Sequence, residues 1–161
     1  MNDFEITYRE NYPKMFRFAA KMTNDKDVAV DIVQEIFIYC YEKFQNGYTI
    51  QNPQNWLIKA VSNKCIDYLK RKKKHTQLNA ATGLAVEDEN YDNQQFEAIL
   101  KLALTKLKPL EMKLIILYSE GYSYKEIAQV AEINFSSVGK TLSRALQKLK
   151  EILKRMNYEM Y

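Results

Sequence analysis

Along most of this chain apolar residues return every third or fourth position, the repeat that lays one stripe along a helix. From Phe4 to Met22 the stripe is Ile6, Tyr8, Tyr12, Met15, Phe16, Phe18 and Ala19, read as one helix or two. Asn24, Asp25 and Asp27 offer caps for the next helix, whose stripe is Val28, Ile32, Val33, Ile36, Phe37, Cys40, Tyr41 and Phe44. It ends near Asn46-Gly47, and its opposite face carries Asp31, Gln34, Glu35 and Glu42. After the loop Gln45 to Pro53, "QNWLIKAVSNKCIDYLKRKKKH" predicts a third helix with a core stripe of Leu57, Ala60, Val61, Cys65, Ile66 and Leu69. Trp56, Lys59, Asn63, Lys70, Arg71, Lys72 and Lys73 are left for its other faces.

The second half predicts a helix from about Pro109 to Ser119, a break at Gly121, a short helix from about Tyr124 to Ala131, a tight turn, and a long helix from about Ser136. Ala128 lies where the two helices of a helix-turn-helix cross closely, and Ile127, Ile133, Val138 and Leu142 supply its packing. Asn134 can cap the second helix, while Ser136, Ser137 and Gly139 keep its start slim enough for a major groove. Lys140, Ser143 and Arg144 follow at helical spacing, within reach of phosphates or base edges, and Lys125 joins them from the shorter helix.

Composition agrees with an all-α reading: 47% of residues are hydrophobic, and only 4 Gly and 3 Pro interrupt 161 residues. Charge is unevenly placed. The net +4 conceals a near-neutral stretch to residue 69, the basic run Lys70 to Lys74, an acidic stretch over 76–98 and a basic remainder. The polar, acidic segment 76–95 lacks an apolar repeat and reads as a flexible linker, so the expected layout is two small helical domains, 1–75 and 96–161. A basic helix end bearing aromatic and amide groups suits a phosphate backbone and unstacked bases. The start, "NDFEITYRENY", is no signal peptide and no long apolar run follows, so a cytoplasmic location without membrane insertion is expected. Cys40 and Cys65 stand apart from each other and from the single His75, which argues for buried thiols and against a zinc site. No constellation of catalytic carboxylates or metal ligands is found; neither an enzyme nor a cofactor is expected.

Three blocks in order resemble the extracytoplasmic-function (ECF) sigma factors of bacterial RNA polymerase. "DIVQEIF" (Asp31 to Phe37) is similar to the family's core-polymerase-binding helix, and "NPQNWLIKAVSNKCIDYLKRKKK" (Asn52 to Lys74) to its promoter-melting helix. The run from Leu104 to Leu149 resembles its C-terminal promoter-reading domain. The resemblance implies that Asp31, Gln34, Glu35 and Phe37 meet polymerase, and that Trp56, Lys59, Asn63 and Lys70 to Lys73 meet the minus-ten element. It assigns Lys125, Ser136, Ser137, Gly139, Lys140, Ser143 and Arg144 to the minus-thirty-five element. Core RNA polymerase and promoter DNA are the implied partners, and an anti-sigma factor is a common further one in the family. Departures from the pattern are Glu132, where the turn often has Gly, Ser136-Ser137 in place of a common Gly-Thr pair, and Gly139 where a basic residue is usual. The competing reading is a dimeric helix-turn-helix repressor or activator that never joins polymerase, which leaves Asp31, Gln34 and Glu35 without a task.

Overall fold

The computed structural model describes residues 2–78 and 92–160 as seven helices: α1 (Asp3–Thr23), α2 (Lys26–Gln45), α3 (Pro53–Leu78), α4 (Asp92–Thr105), α5 (Pro109–Ser119), α6 (Tyr124–Ala131) and α7 (Phe135–Met160). Among the described residues there is no strand. The first stretch is a single helix with Pro13 inside it. The Asn2 side chain caps α1 by accepting from the Glu5 amide at 2.8 Å, and the helix stops at Asn24, which adopts a left-handed conformation (φ 54°). Asn is one of the few residues that visits this region readily. Asp25 then starts α2, its carboxylate accepting from the amides of Asp27 and Val28 at 3.0 and 3.2 Å.

Helices α1 to α3 close around Met15, Phe18, Val33, Cys40, Leu57 and Val61, all fully buried. Burial in apolar surroundings disfavours the thiolate and pushes Cys40 up to about 11 and Cys65 up to about 12. In the second half, six consecutive residues of α5, Met112 to Leu117, are buried. A helix covered on every side must lie inside its surroundings, and α5 packs on α6 and α7 as well as on α1 and α3. Helix α4, unassigned in the sequence reading, packs on α7. Its turns carry Ile99, Leu102 and Ala103 against the core.

The helix-turn-helix forms where expected. Ser123 Oγ accepts from the Glu126 amide at 3.1 Å while Glu126 Oε1 accepts from the Ser123 amide at 3.0 Å, a capping box that fixes the start of α6. At its end Glu132 is left-handed (φ 57°, ψ 44°) and donates its amide to the Ala128 carbonyl. With a Cβ that conformation costs about 1 kcal/mol relative to glycine. At the start of α7 the main-chain carbonyl of Asn134, rather than its side chain, takes the Ser137 amide at 2.9 Å. Helix α3 runs on through Leu78 and α4 begins at Asp92, so the helical parts extend further into the 76–95 segment than the sequence reading placed them; residues 79–91 lie outside the described ones.

Two outcomes test this core. Phe18→Ala is expected to lower the unfolding free energy by about 3–5 kcal/mol in urea titrations, the usual cost of emptying a buried aromatic site. Cys40 and Cys65 are expected to stay unreactive toward a disulfide reagent in the native protein near neutral pH, and to react stoichiometrically in denaturant.

Candidate protein-binding and nucleic-acid surfaces

The buried stripe of α2 turns Asp31, Gln34 and Glu35 outward within about one turn, so they present one exposed patch. Glu35 also reaches α3, where it pairs with Lys64 at 2.9 Å. Phe37 is not on this patch. It is 3% exposed, with its ring edge-on to Tyr8 at 4.9 Å, because the α1 face needs an aromatic filler there; it supports the patch from beneath.

Beside the patch, α2 and α3 enclose a groove of ≈ 750 Å³ with Ile38 and Tyr39 on one wall and Trp56, Ala60 and Asn63 on the other. Tyr39 lies parallel to Trp56, centroids 6.0 Å apart and planes 5° apart. The Lys43 ammonium stands 5.2 Å from the Tyr39 ring and 5.0 Å from that of Tyr48. The sequence reading singled out Trp56 but not Tyr39, Lys43 or Tyr48. Tyr39 and Tyr48 are 53% and 63% exposed, and this row of rings and a cation is the composition on which bases stack. Its only signal in the sequence is aromatic residues off the apolar stripe.

At the far end of α3, Lys70, Arg71, Lys72 and Lys73 are all exposed. Lys59, four residues before exposed Asn63, instead makes an ion pair of 2.6 Å with Glu132 at the end of α6.

On α7, Val138, Leu142, Ala145 and Leu149 are buried, which turns Ser136, Lys140 and Arg144 outward along the opposite side. Ser143 is exposed and Ser137 half-buried; Lys125 is exposed on α6. Gly139 faces Tyr124, whose ring carbon lies 3.6 Å from where a Cβ would stand. An alanine would therefore fit, and the slimness of this position is directed at α6. Glu111 of α5 ties down α7 by accepting from Lys148 at 3.0 Å. Burial pushes the Glu111 carboxyl up, but the Lys108 amide and the Lys148 ammonium outweigh that and hold it below the usual range. Among the described residues no His, Cys, Asp or Glu cluster could hold a metal, and no helix is long and apolar enough to cross a membrane.

Comparison with known proteins agrees with this geometry. Residues 7–75 match Sigma-70 region 2, and residues 97–149 match Sigma-70 region 4. The ECF RNA polymerase sigma factor SigM of Bacillus subtilis is 28% identical over 149 residues, which cover 88% of this chain and 89% of SigM. The ECF sigma factor SigE of Mycolicibacterium smegmatis is 25% identical over 168 residues, covering 99% of this chain and 65% of SigE. Among solved structures, the sigma factor RpoE from Bartonella quintana, in complex with the anti-sigma factor NepR, shares the fold with a TM-score of 0.70 at 23% identity, over 96% of this chain and 98% of its own. Regions 2 and 4 in their family order, the first carrying the α2 patch and the second the helix-turn-helix, make this chain a member of the ECF family of RNA polymerase sigma factors.

Proposed function

We propose that this sigma factor divides promoter recognition between its two helical units, residues 1–75 and 96–161. The α2 patch of Asp31, Gln34 and Glu35 docks on core RNA polymerase. Trp56 and Asn63, with Lys59 once it is released from Glu132, engage the minus-ten element, and Lys70 to Lys73 hold its phosphates. The loop Gln45 to Pro53 receives an unstacked base, and Tyr39 extends the stacking surface offered by Trp56. Helix α7 enters the major groove of the minus-thirty-five element with Ser136, Ser137 and Lys140 leading, Arg144 and Ser143 behind, and Lys125 on the neighbouring backbone.

The observation that carries this reading is the opposition of faces on α7, a buried apolar stripe behind an exposed row of Ser136, Lys140 and Arg144. A helix that only packed would have no need for a slim, basic outer edge. The role is binding without covalent catalysis: contacts to polymerase and two DNA elements offset the few kcal/mol that each unstacked base step costs. A dimeric regulator acting alone would leave the α2 patch unused, and both sigma regions speak against it.

Replacing Gln34 with Ala and Glu35 with Lys together is expected to abolish holoenzyme formation in gel filtration with core polymerase, with the circular-dichroism helicity unchanged because both side chains are exposed. Normal co-elution would refute the docking assignment. For α7, Lys140→Ala is expected to relax base preference at one or two positions when minus-thirty-five variants are selected, at roughly 1–3 kcal/mol per lost base contact. Arg144→Ala is expected to weaken all variants alike. A shift of sequence preference by the Arg144 variant alone would reverse these two roles.

A further inference from the structure

The groove between α2 and α3 carries rings suited to stacked bases, yet its charges are set against a polyanion. Its rim holds the carboxylates of Glu35, Glu42 and Asp67 and the ammonium groups of Lys59 and Lys64. Both cations are already engaged, Lys59 by Glu132 at 2.6 Å and Lys64 by Glu35 at 2.9 Å. Among the described residues no cation is paired with Glu42 or Asp67. Lys43, over the Tyr39 ring, offsets one of these two charges at most. The rim therefore keeps uncompensated negative charge beside Tyr39 and Trp56, within the roughly 10 Å over which charges act at about 0.1 M salt, and a strand of phosphates is repelled there.

Lys64 and Glu35 form the pair that a partner can rearrange. Their side chains are 41% and 62% exposed, so the pair is solvated and no packing locks it. An ion pair of this kind is worth roughly 0–1 kcal/mol, little enough for a competing group to break. Glu35 stands one helical turn after Asp31, on the exposed patch of α2, while Lys64 follows Asn63 on the wall of the groove.

One carboxylate thus belongs to the α2 patch and also holds a cation of the groove. It cannot serve both at full strength. A cationic or hydrogen-bond-donating group brought to Glu35 from outside displaces the Lys64 ammonium, and the groove then changes twice over: a carboxylate on its rim is neutralised, and an ammonium beside its rings is set free.

We propose that Lys64 is a further phosphate-binding residue of the groove, held by Glu35 in the free chain and released when polymerase takes that carboxylate. The gate rests on the docking and minus-ten roles proposed above, and both of its members lie within the α1–α3 unit. Because binding free energies couple reciprocally, a strand whose phosphate takes Lys64 also frees Glu35, and so strengthens polymerase binding by the same factor that polymerase strengthens its own.

The test uses the full chain, core polymerase and a fluorescent single strand of a minus-ten sequence selected with the wild-type holoenzyme. Lys64→Ala is expected to keep its helicity, since it truncates an exposed side chain. Without DNA it is expected to bind core polymerase roughly two- to fivefold more tightly than wild type, the range for a solvent-exposed ion pair that no longer has to be broken. In a Glu35→Gln background, where no carboxylate is held, the same substitution should leave core affinity unchanged. In the holoenzyme, Lys64→Ala should lower the slope of log affinity against log salt for the strand by about 0.7, the share of one phosphate contact on a single strand. The strand should also strengthen core binding by the wild-type chain more than by the Lys64→Ala chain. Core affinity unchanged or weakened by Lys64→Ala would overturn the gate, and an unchanged salt slope would overturn the phosphate contact. A wild-type chain that failed to bind core polymerase would overturn the docking reading and the gate with it; the salt slope of the free Glu35→Gln chain, with and without Lys64, would then decide the phosphate contact by the same criterion.

Discussion

The arrangement depends on α3 being buried from more than one direction. Leu57, Val61 and Cys65 make the stripe that meets α1 and α2, yet Ile58 and Ser62 beside them are also fully buried. Asn55, Ile58, Lys59 and Ser62 are spaced as one helical face, and its polar members Asn55 and Lys59 bond to α6 and its turn. Helix α3 is thus the element on which both units close. The strip left over carries Trp56, Asn63 and the basic end.

That strip divides the cations of α3 into different states. Lys70 to Lys73 are exposed, with the Lys72 ammonium 6.0 Å from the Tyr68 ring. Lys64 is tied to Glu35 and Lys59 to Glu132, so each already has an anion to give up. A partner that recruits Lys64 must compete with Glu35 of the exposed α2 patch, which links the α2 and α3 surfaces through one exchangeable ion pair. The aromatic row of Tyr48, Tyr39 and Trp56 bridges the same two surfaces through stacking and the Lys43 ammonium. Neighbouring surfaces joined in this way would not act as independent modules.

Local periodicity determined a large share of this protein. The stripes of α1 and α2, the Asp25 cap, the Gly121 break and the helix-turn-helix were legible because each arises within a turn or two of chain, and the three sequence blocks gave the family. Other features depended on neighbours distant in sequence. Phe37 stands in the apolar stripe of α2 while the resemblance sends it to polymerase, and its burial against the Tyr8 ring of α1 decides for core. Helix α4 has apolar residues at nearly every position after Ala98, so without the α7 surface to receive them no face could be chosen.

Ile58 and Ser62 fall outside the expected stripe yet are fully buried on the face they share with Asn55 and Lys59, which α3's own pattern does not reveal. Glu132 shows the division most clearly. A left-handed turn there, with its cost, is implied by the family resemblance, in which the position often holds glycine. That its carboxylate reaches Lys59, some seventy residues earlier in the chain, required the tertiary structure, since an ion pair depends on distance through space and the sequence records only distance along the chain.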